Sequence, residues 1–321
     1  MISRRSILFG SAASAAAVLV RRTAPVFASA SQPATPVSFD VPAGACDSHT
    51  HIFGDARAFP LAPTHAYTPE PALVGEMQAL HRALHVDRVV VVTPSPYGTD
   101  NTCTLDAVKQ MGGRARCVVV IDEKTSEASL DEMSRGGARG IRLNLITGGE
   151  ANIAAARHLF EVAVMRTRPR NWHIQIYAQL GTIEALKDAI AACPVPVVLD
   201  HFGAAQVAGG VSQRGFDALL AMVHAGHAHV KISAPYRSST QAPDYADVAP
   251  IAKAIIAANP QRIVWGTDWP HPNPALARPV GLTPYWSIDD GRVFNQLPIW
   301  APDAALRKTI LVDNPARLYR F

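Results

Sequence analysis

The chain has 321 residues, 48% hydrophobic and 17% charged, enough apolar material for one large core and unlike a disordered or fibrous protein. Its formal charge of +4 is carried by Arg4, Arg5, Arg21 and Arg22, because residues 1–30 hold no acid and the remainder is balanced. A neutral body offers no basic track for phosphates, which excludes nucleic acid as a partner.

The chain opens with Ser3-Arg4-Arg5-Ser6-Ile7-Leu8-Phe9, an apolar stretch rich in small residues to Val20, and Ala28-Ser29-Ala30. Paired arginines, a short apolar region and a small-x-small site outline a twin-arginine export signal. The stretch between Arg5 and Arg21 is short and rich in Ala and Ser for a permanent membrane span. The expectation is cleavage after Ala30: residues 1–30 a signal peptide handled by the twin-arginine export machinery, 31–42 a linker, and 43–321 a periplasmic body. Cys46, Cys103, Cys117 and Cys193 form no C-x-x-C pair, so neither a zinc knuckle nor a redox motif is present. Cys46 and Cys117 read as small buried core residues.

Beyond residue 42, short β-branched runs alternate with segments of helical period. The runs fall at 45–51, 88–92, 116–121, 140–145, 173–177, 197–200, 229–233 and 262–266. The helical segments fall at 73–84, 130–135, 153–166, 183–192, 216–225 and 248–258. The alternation predicts an α/β protein, a single (β/α)8 TIM barrel without a second domain.

Such barrels carry their active sites at the C-terminal strand ends, and polar residues collect there. His49 and His51 lie two apart on the first run, hence on one side of a strand, where paired imidazoles can hold a metal or polarise a carbonyl. Ser95 and Tyr97 follow the second run, Arg142 and Asn144 end the fourth, and Gln175 and Tyr177 the fifth. His201 follows the sixth, Ser233 and Arg237 the seventh, and Asp268 the eighth. Each has an ordinary use at a strand end, and H-x-H alone is a weak signal; convergence on one rim is what points to catalysis. Partial burial beside Trp269 and Pro270 is expected to raise the basicity of Asp268 toward that of a general base. Tyr67 and His65, on the long first loop, could close over a substrate, to which Ser95 and Tyr97 could donate hydrogen bonds. His271 reads as orienting Asp268 or ending the motif, Trp265 and Trp269 as packing, and Lys231 as a structural charge.

The motifs Asp47-x-His49-x-His51, Asp200-His201-x-Gly203 and Trp265-Gly266-x-Asp268-Trp269-Pro270-His271 resemble the amidohydrolase superfamily. More narrowly, the chain is similar to the branch that holds the 2-pyrone-4,6-dicarboxylate lactonases. That likeness rests on Phe59-Pro60-x-Ala62-Pro63, Ser95-x-Tyr97-Gly98-x-Asp100-Asn101, Arg139-Gly140-Ile141-Arg142-x-Asn144, Tyr236-Arg237 and Asn314-Pro315-x-x-Leu318-Tyr319. The resemblance implies a lactone-opening hydrolase in which Asp268 activates water while His49, His51 and His201 polarise the carbonyl and stabilise the oxyanion. Arg142 and Arg237, with Tyr67, Ser95, Tyr97 and Tyr177, would hold a small carboxylated lactone.

Many superfamily members place a histidine at the end of strand five, where this chain has Gln175 and Tyr177. The set left for a single zinc ion is His49, His51, His201 and Asp268, but the branch works without a required metal, so no cofactor is expected. The branch's basic segment after the fourth strand is replaced by Ile146-Thr147-Gly148-Gly149-Glu150, which favours a monoanionic or neutral lactone over the dicarboxylate. Alternatives are a sugar-acid lactone isomerase, in which a substrate hydroxyl replaces water, and a metal-dependent decarboxylase or hydrolase of the same superfamily. The non-catalytic alternative is a periplasmic binding protein on a dead barrel, against which the retained histidines and Asp268 count.

Overall fold

A computed structural model describes residues 30–146, 152–277 and 281–321. Nearly all of the expected signal peptide (1–29) and most of the stretch without basic residues after the fourth strand (147–150) lie outside these ranges. Eight parallel strands follow one another around the sheet in chain order. They are β1 (Cys46–Thr50), β2 (Arg88–Val92), β3 (Ala115–Val119), β4 (Ala138–Asn144), β5 (His173–Tyr177), β6 (Val197–Leu199), β7 (Ala228–Ser233) and β8 (Ile263–Gly266). Strands covered on both faces read as continuous apolar runs, and Val89, Val90, Val91 and Val92 are accordingly all buried. The TIM barrel expected from the alternation is the fold observed.

The ends of the sheet meet through a short bridge. His51 N–H donates to Trp269 O and Asp268 N–H to His49 O, each at 2.8 Å. Asp47 reinforces this seam from below. Its Oδ1 accepts from the N–H of Thr267 at 3.0 Å and of His49 at 3.1 Å, and its Oδ2 accepts from the Thr267 hydroxyl at 2.6 Å. A Cβ on Gly266 would sit 2.8 Å from His49 N, so only glycine lets β8 approach β1 this closely.

Helices α1 (Val74–Ala83), α2 (Thr102–Met111), α3 (Glu127–Arg135), α4 (Ile153–Thr167), α5 (Leu180–Ala185), α6 (Lys187–Ala191), α7 (Phe216–His224) and α8 (Ala249–Ala258) cover the barrel. Their apolar faces bury residues such as Met77, Leu80, Phe160, Ile183 and Phe216 against the strands, each contributing about 1.5–3 kcal/mol by burial. Helix α2 has no counterpart among the expected segments. Its buried stripe is Cys103, Ala107, Val108 and Met111, and a stripe that includes cysteine and alanine carries a weak apolar signal. The segment expected as one helix at 183–192 is instead two short helices, α5 and α6, meeting at Leu186.

The expected linker is a bound strap. Trp269 Nε1 donates to Ser31 O at 3.0 Å, the Thr35 hydroxyl donates to Asp289 Oδ2 at 2.6 Å, and Asn295 bonds both Ser38 N and Pro36 O. Asp289 caps α9 (Asp290–Phe294), so the strap ties the N-terminus to the last part of the fold.

Candidate active site

Asp268 follows β8 with a left-handed backbone, φ +66°, a conformation that aspartate tolerates better than most residues. Hydrogen bonds from its own N–H to His49 O and from His271 N–H to Asp268 O hold it there. The two carboxylate oxygens have different surroundings. Oδ2 accepts from the Tyr236 hydroxyl at 2.6 Å and lies 2.8 Å from both Nε and Nη2 of Arg237. Oδ1 is buried without a hydrogen-bond partner and faces Nε2 of His49 at 3.5 Å, of His51 at 3.5 Å and of His201 at 3.7 Å.

This arrangement corrects the expectation that burial raises Asp268. Desolvation pushes its carboxyl up, but the Arg237 guanidinium, with the imidazoles, outweighs it and holds the group well below the usual carboxylate range. Asp268 is therefore ionised across the neutral range, and the single oxygen not already hydrogen-bonded is its basic edge. Burial lowers all three imidazoles: His49 falls well below the ordinary value, His51 is lowered, and His201 falls to about 4. They are neutral at neutral pH, with one N–H each.

His51 Nδ1 lies 2.7 Å from Val92 O, and a carbonyl only accepts, so His51 carries its proton on Nδ1 and presents a bare Nε2. A bare nitrogen cannot donate to an oxyanion, which corrects the expected role of His51 in polarising the carbonyl. His201 Nδ1 lies 2.9 Å from the Ser233 hydroxyl, which can donate to it and leave the proton on Nε2.

The cavity above Asp268 is lined by His51, His201, Tyr67, Ser95, Arg142, Asn144, Tyr177 and Arg237. His49 is fully buried at the level of Asp268. Tyr67, bonded to Ser95, is pushed up to about 12 by burial and stays a neutral donor. Arg142 is buried, its Nε lacks a hydrogen-bond partner, and its guanidinium lies 5.8 Å from the Tyr177 ring. Tyr97 borders a neighbouring cavity instead, with its hydroxyl accepting from Gly54 N–H at 3.0 Å and its ring stacked on Phe53. His65 is held within its loop by Ala62 O and Thr68.

Sequence reasoning read Lys231 as a structural charge and did not connect it to the layer behind these groups. Gln175 Nε2 donates to Asp200 Oδ2 at 2.9 Å, and Lys231 Nζ donates to Gln175 Oε1 at 2.6 Å. A lysine in the apolar strand Ala228–Ser233 was the available signal, since a buried charge requires partners. Tyr236 was the other omission. Its hydroxyl lies 3.2 Å from His271 Nδ1, and His271 Nε2 lies 2.9 Å from Asp290 Oδ2, so His271 supports the carboxylate through Tyr236.

One ligand atom each from His49, His201 and Asp268 lie within 4.8 Å of one another. A buried carboxylate oxygen without a donor, set among imidazole nitrogens, is a donor set that fits a single zinc-like ion.

The model of the family described as Amidohydrolase matches residues 46–321. The chain belongs to the amidohydrolase family. It is 37% identical to a 2-pyrone-4,6-dicarboxylate hydrolase of Comamonas testosteroni over 291 residues, covering 88% of this chain and 92% of that protein. It is 34% identical to a 4-sulfomuconolactone hydrolase of Rhizobium radiobacter over 284 residues, again covering 88% and 92%. A solved apo structure from Agrobacterium tumefaciens superposes with a TM-score of 0.74 at 27% identity, covering 90% of this chain and 98% of that one. As an amidohydrolase with lactone hydrolases among its relatives, the protein is a hydrolytic enzyme acting on a small molecule.

Proposed function

We propose that this amidohydrolase opens a lactone bearing a carboxylate. The observation that carries the reading is Asp268 Oδ1, a buried, ionised oxygen with no hydrogen-bond partner, beside a cavity lined by two guanidinium groups. Water positioned at Oδ1 gives up its proton to Asp268 as its oxygen attacks the ring carbonyl, and collapse of the tetrahedral intermediate breaks the ring C–O bond as Asp268 returns the proton to the leaving oxygen. The N–H of His201 Nε2, supported by Ser233, polarises that carbonyl and stabilises the oxyanion. Arg142, with Ser95 and Tyr67, holds the substrate carboxylate through charge-assisted hydrogen bonds. Among the described residues Arg142 is the cavity guanidinium not bound to Asp268, so a monoanionic lactone fits at least as well as a dicarboxylate.

A metal-assisted form is the second reading, favoured by the convergence of the imidazole nitrogens on that same orphan oxygen. His49, His201 and Asp268, with His51 beside them, would hold the ion, which would supply Lewis-acid polarisation of the carbonyl. The test is a panel of carboxylated lactones assayed with a pH indicator before and after chelation. Full activity in chelated enzyme supports the metal-free form, and loss restored by zinc supports the second. Hydrolysis must incorporate label from oxygen-18 water; an unlabelled product would indicate lactone isomerisation instead.

We also infer export through the twin-arginine route to the periplasm, with residues 1–30 removed. The paired arginines and the Ala28-Ser29-Ala30 site support this. N-terminal sequencing of exported protein should begin at Ser31, and a start at Met1 would overturn it.

A further inference from the structure

The water-attack step leaves Lys231 without a part, although its ammonium lies wholly inside the barrel, behind the catalytic imidazoles. A buried ammonium has three donors to satisfy. Three acceptors surround it: Gln175 Oε1 at 2.6 Å, His49 Nδ1 at 3.2 Å and Asp200 Oδ1 at 3.4 Å.

Two further distances decide where His49 keeps its proton. His51 presents a bare Nε2, because Val92 O holds the His51 proton on Nδ1. His49 Nε2 lies 3.3 Å from that bare nitrogen and 3.5 Å from Asp268 Oδ1. Were the His49 proton on Nδ1, toward Asp200 Oδ1 at 3.3 Å, the lone pairs of His49 Nε2 and His51 Nε2 would face each other at 3.3 Å, and Asp268 Oδ1 would be left only the N–H of His201 Nε2 at 3.7 Å. A proton on His49 Nε2 removes that conflict and leaves Nδ1 as the acceptor that Lys231 requires.

We propose that Lys231 is a positioning residue that donates to His49 Nδ1 and so holds His49 as its Nε2–H tautomer. The hydrogen bonds then run in one direction, from Lys231 to His49, from His49 to His51, and from His51 to Val92 O. Gln175 and Asp200 hold Lys231 in place, and Gln175 bridges them by accepting from one and donating to the other. An ion held through His49 would require Nε2 bare and the proton on Nδ1, where it would face both the Lys231 ammonium and Asp200 Oδ1. The inference takes from the proposed function only that His49 belongs to the active site, and holds whichever lactone is opened.

The test uses metal-stripped protein beginning at Ser31, labelled with nitrogen-15 histidine, in long-range proton–nitrogen correlation spectra at near-neutral pH. His49→Gln and His51→Gln provide the assignments. The expected spectrum shows the His49 proton on Nε2 and the His51 proton on Nδ1, and Lys231→Met moves the His49 proton to Nδ1. A wild-type His49 protonated on Nδ1 overturns the proposal even if Lys231→Met does not fold. So does a folded Lys231→Met with the His49 tautomer unchanged. No substrate is used, so this outcome is separate from the failure of any lactone assay.

Discussion

Arg237 grips one oxygen of Asp268, with Nε and Nη2 both 2.8 Å from Oδ2, and leaves Oδ1 to the imidazoles. A carboxylate held this way is a weak base that stays ionised across the neutral range, so its proton affinity is set by the arginine as well as by burial. Replacing Arg237 by Met removes the lowering charge and leaves the desolvation that pushes the carboxyl up. The Asp268 pKa must therefore rise, and the acid limb of kcat/KM should move to higher pH. A pH–rate profile of Arg237→Met with its acid limb unmoved would show that Arg237 does not set the base.

Because Arg237 is committed to Asp268 and Pro272 O, the cation that remains for a substrate anion among the described residues is Arg142, whose Nε makes no hydrogen bond and lies 3.7 Å from Asp200 Oδ2. Truncating one partner of a buried charge-assisted pair costs about 2–5 kcal/mol. Arg142→Met should therefore raise KM for carboxylated lactones by at least about tenfold, one factor of ten being about 1.4 kcal/mol. Neutral lactones of the same ring should be nearly unaffected. Equal losses for both would remove Arg142 from carboxylate recognition.

The barrel was legible because each strand is a short β-branched run sealed on both faces, and the rim was legible because its polar residues interrupt those runs at their C-terminal ends. What escaped the sequence is pairing across strands. Nothing in the local pattern around Arg237 states that it neutralises a carboxylate 31 residues away, so Asp268 read as a raised base and Arg237 as a substrate ligand. The orientation of Tyr97 was hidden for the same reason, since it depends on Phe53 and Gly54. The strap read as linker because its hydrogen bonds go to Trp269, Asp289 and Asn295, more than 230 residues away.

Two histidines away from the site make stability depend on pH. Burial lowers His173 to about 3, with Lys231 adding to the effect, and burial lowers His229 to about 3, with Arg262 adding. In the unfolded chain both take protons as pH falls below about 6.5. The folded protein takes them only near the lower value, so their contribution is present above about 6.5 and is lost as pH falls toward about 3. The slope is up to about 1.4 kcal/mol per pH unit for each. Melting temperature should therefore decline through this window, less steeply in His173→Phe than in the parent protein. Parallel curves would assign the acid sensitivity to other groups.

The strap should stabilise the catalytic turn as well as the N-terminus. Without Ser31 O the buried indole N–H of Trp269, next to Asp268, loses its acceptor, at a cost of about 1–3 kcal/mol. Asp289, at the start of the helix that carries Asp290, loses the Thr35 hydroxyl as well. A protein beginning at Asp40 should melt several degrees below one beginning at Ser31, at about 2–4 °C per kcal/mol for a chain of this size. Identical calorimetric transitions would make the strap a passive tail.

Asp268→Asn tests the base directly, and the surroundings determine how the amide must sit. Tyr236 and Arg237 both donate to the Oδ2 position, so the amide oxygen is drawn there. The amide nitrogen then takes the Oδ1 position, among the three imidazole Nε2 atoms. The substitution thus places a donor where water must surrender its proton, in nearly the same volume. Turnover should fall by about 10²–10⁴, the scale of general-base loss, with the circular dichroism spectrum and the affinity for a non-hydrolysable lactam analogue preserved. Arg237 loses its counter-charge in this variant, so some loss of melting temperature is expected alongside. A folded Asp268→Asn enzyme with near-normal turnover would remove Asp268 from proton transfer and, with it, the water-attack mechanism.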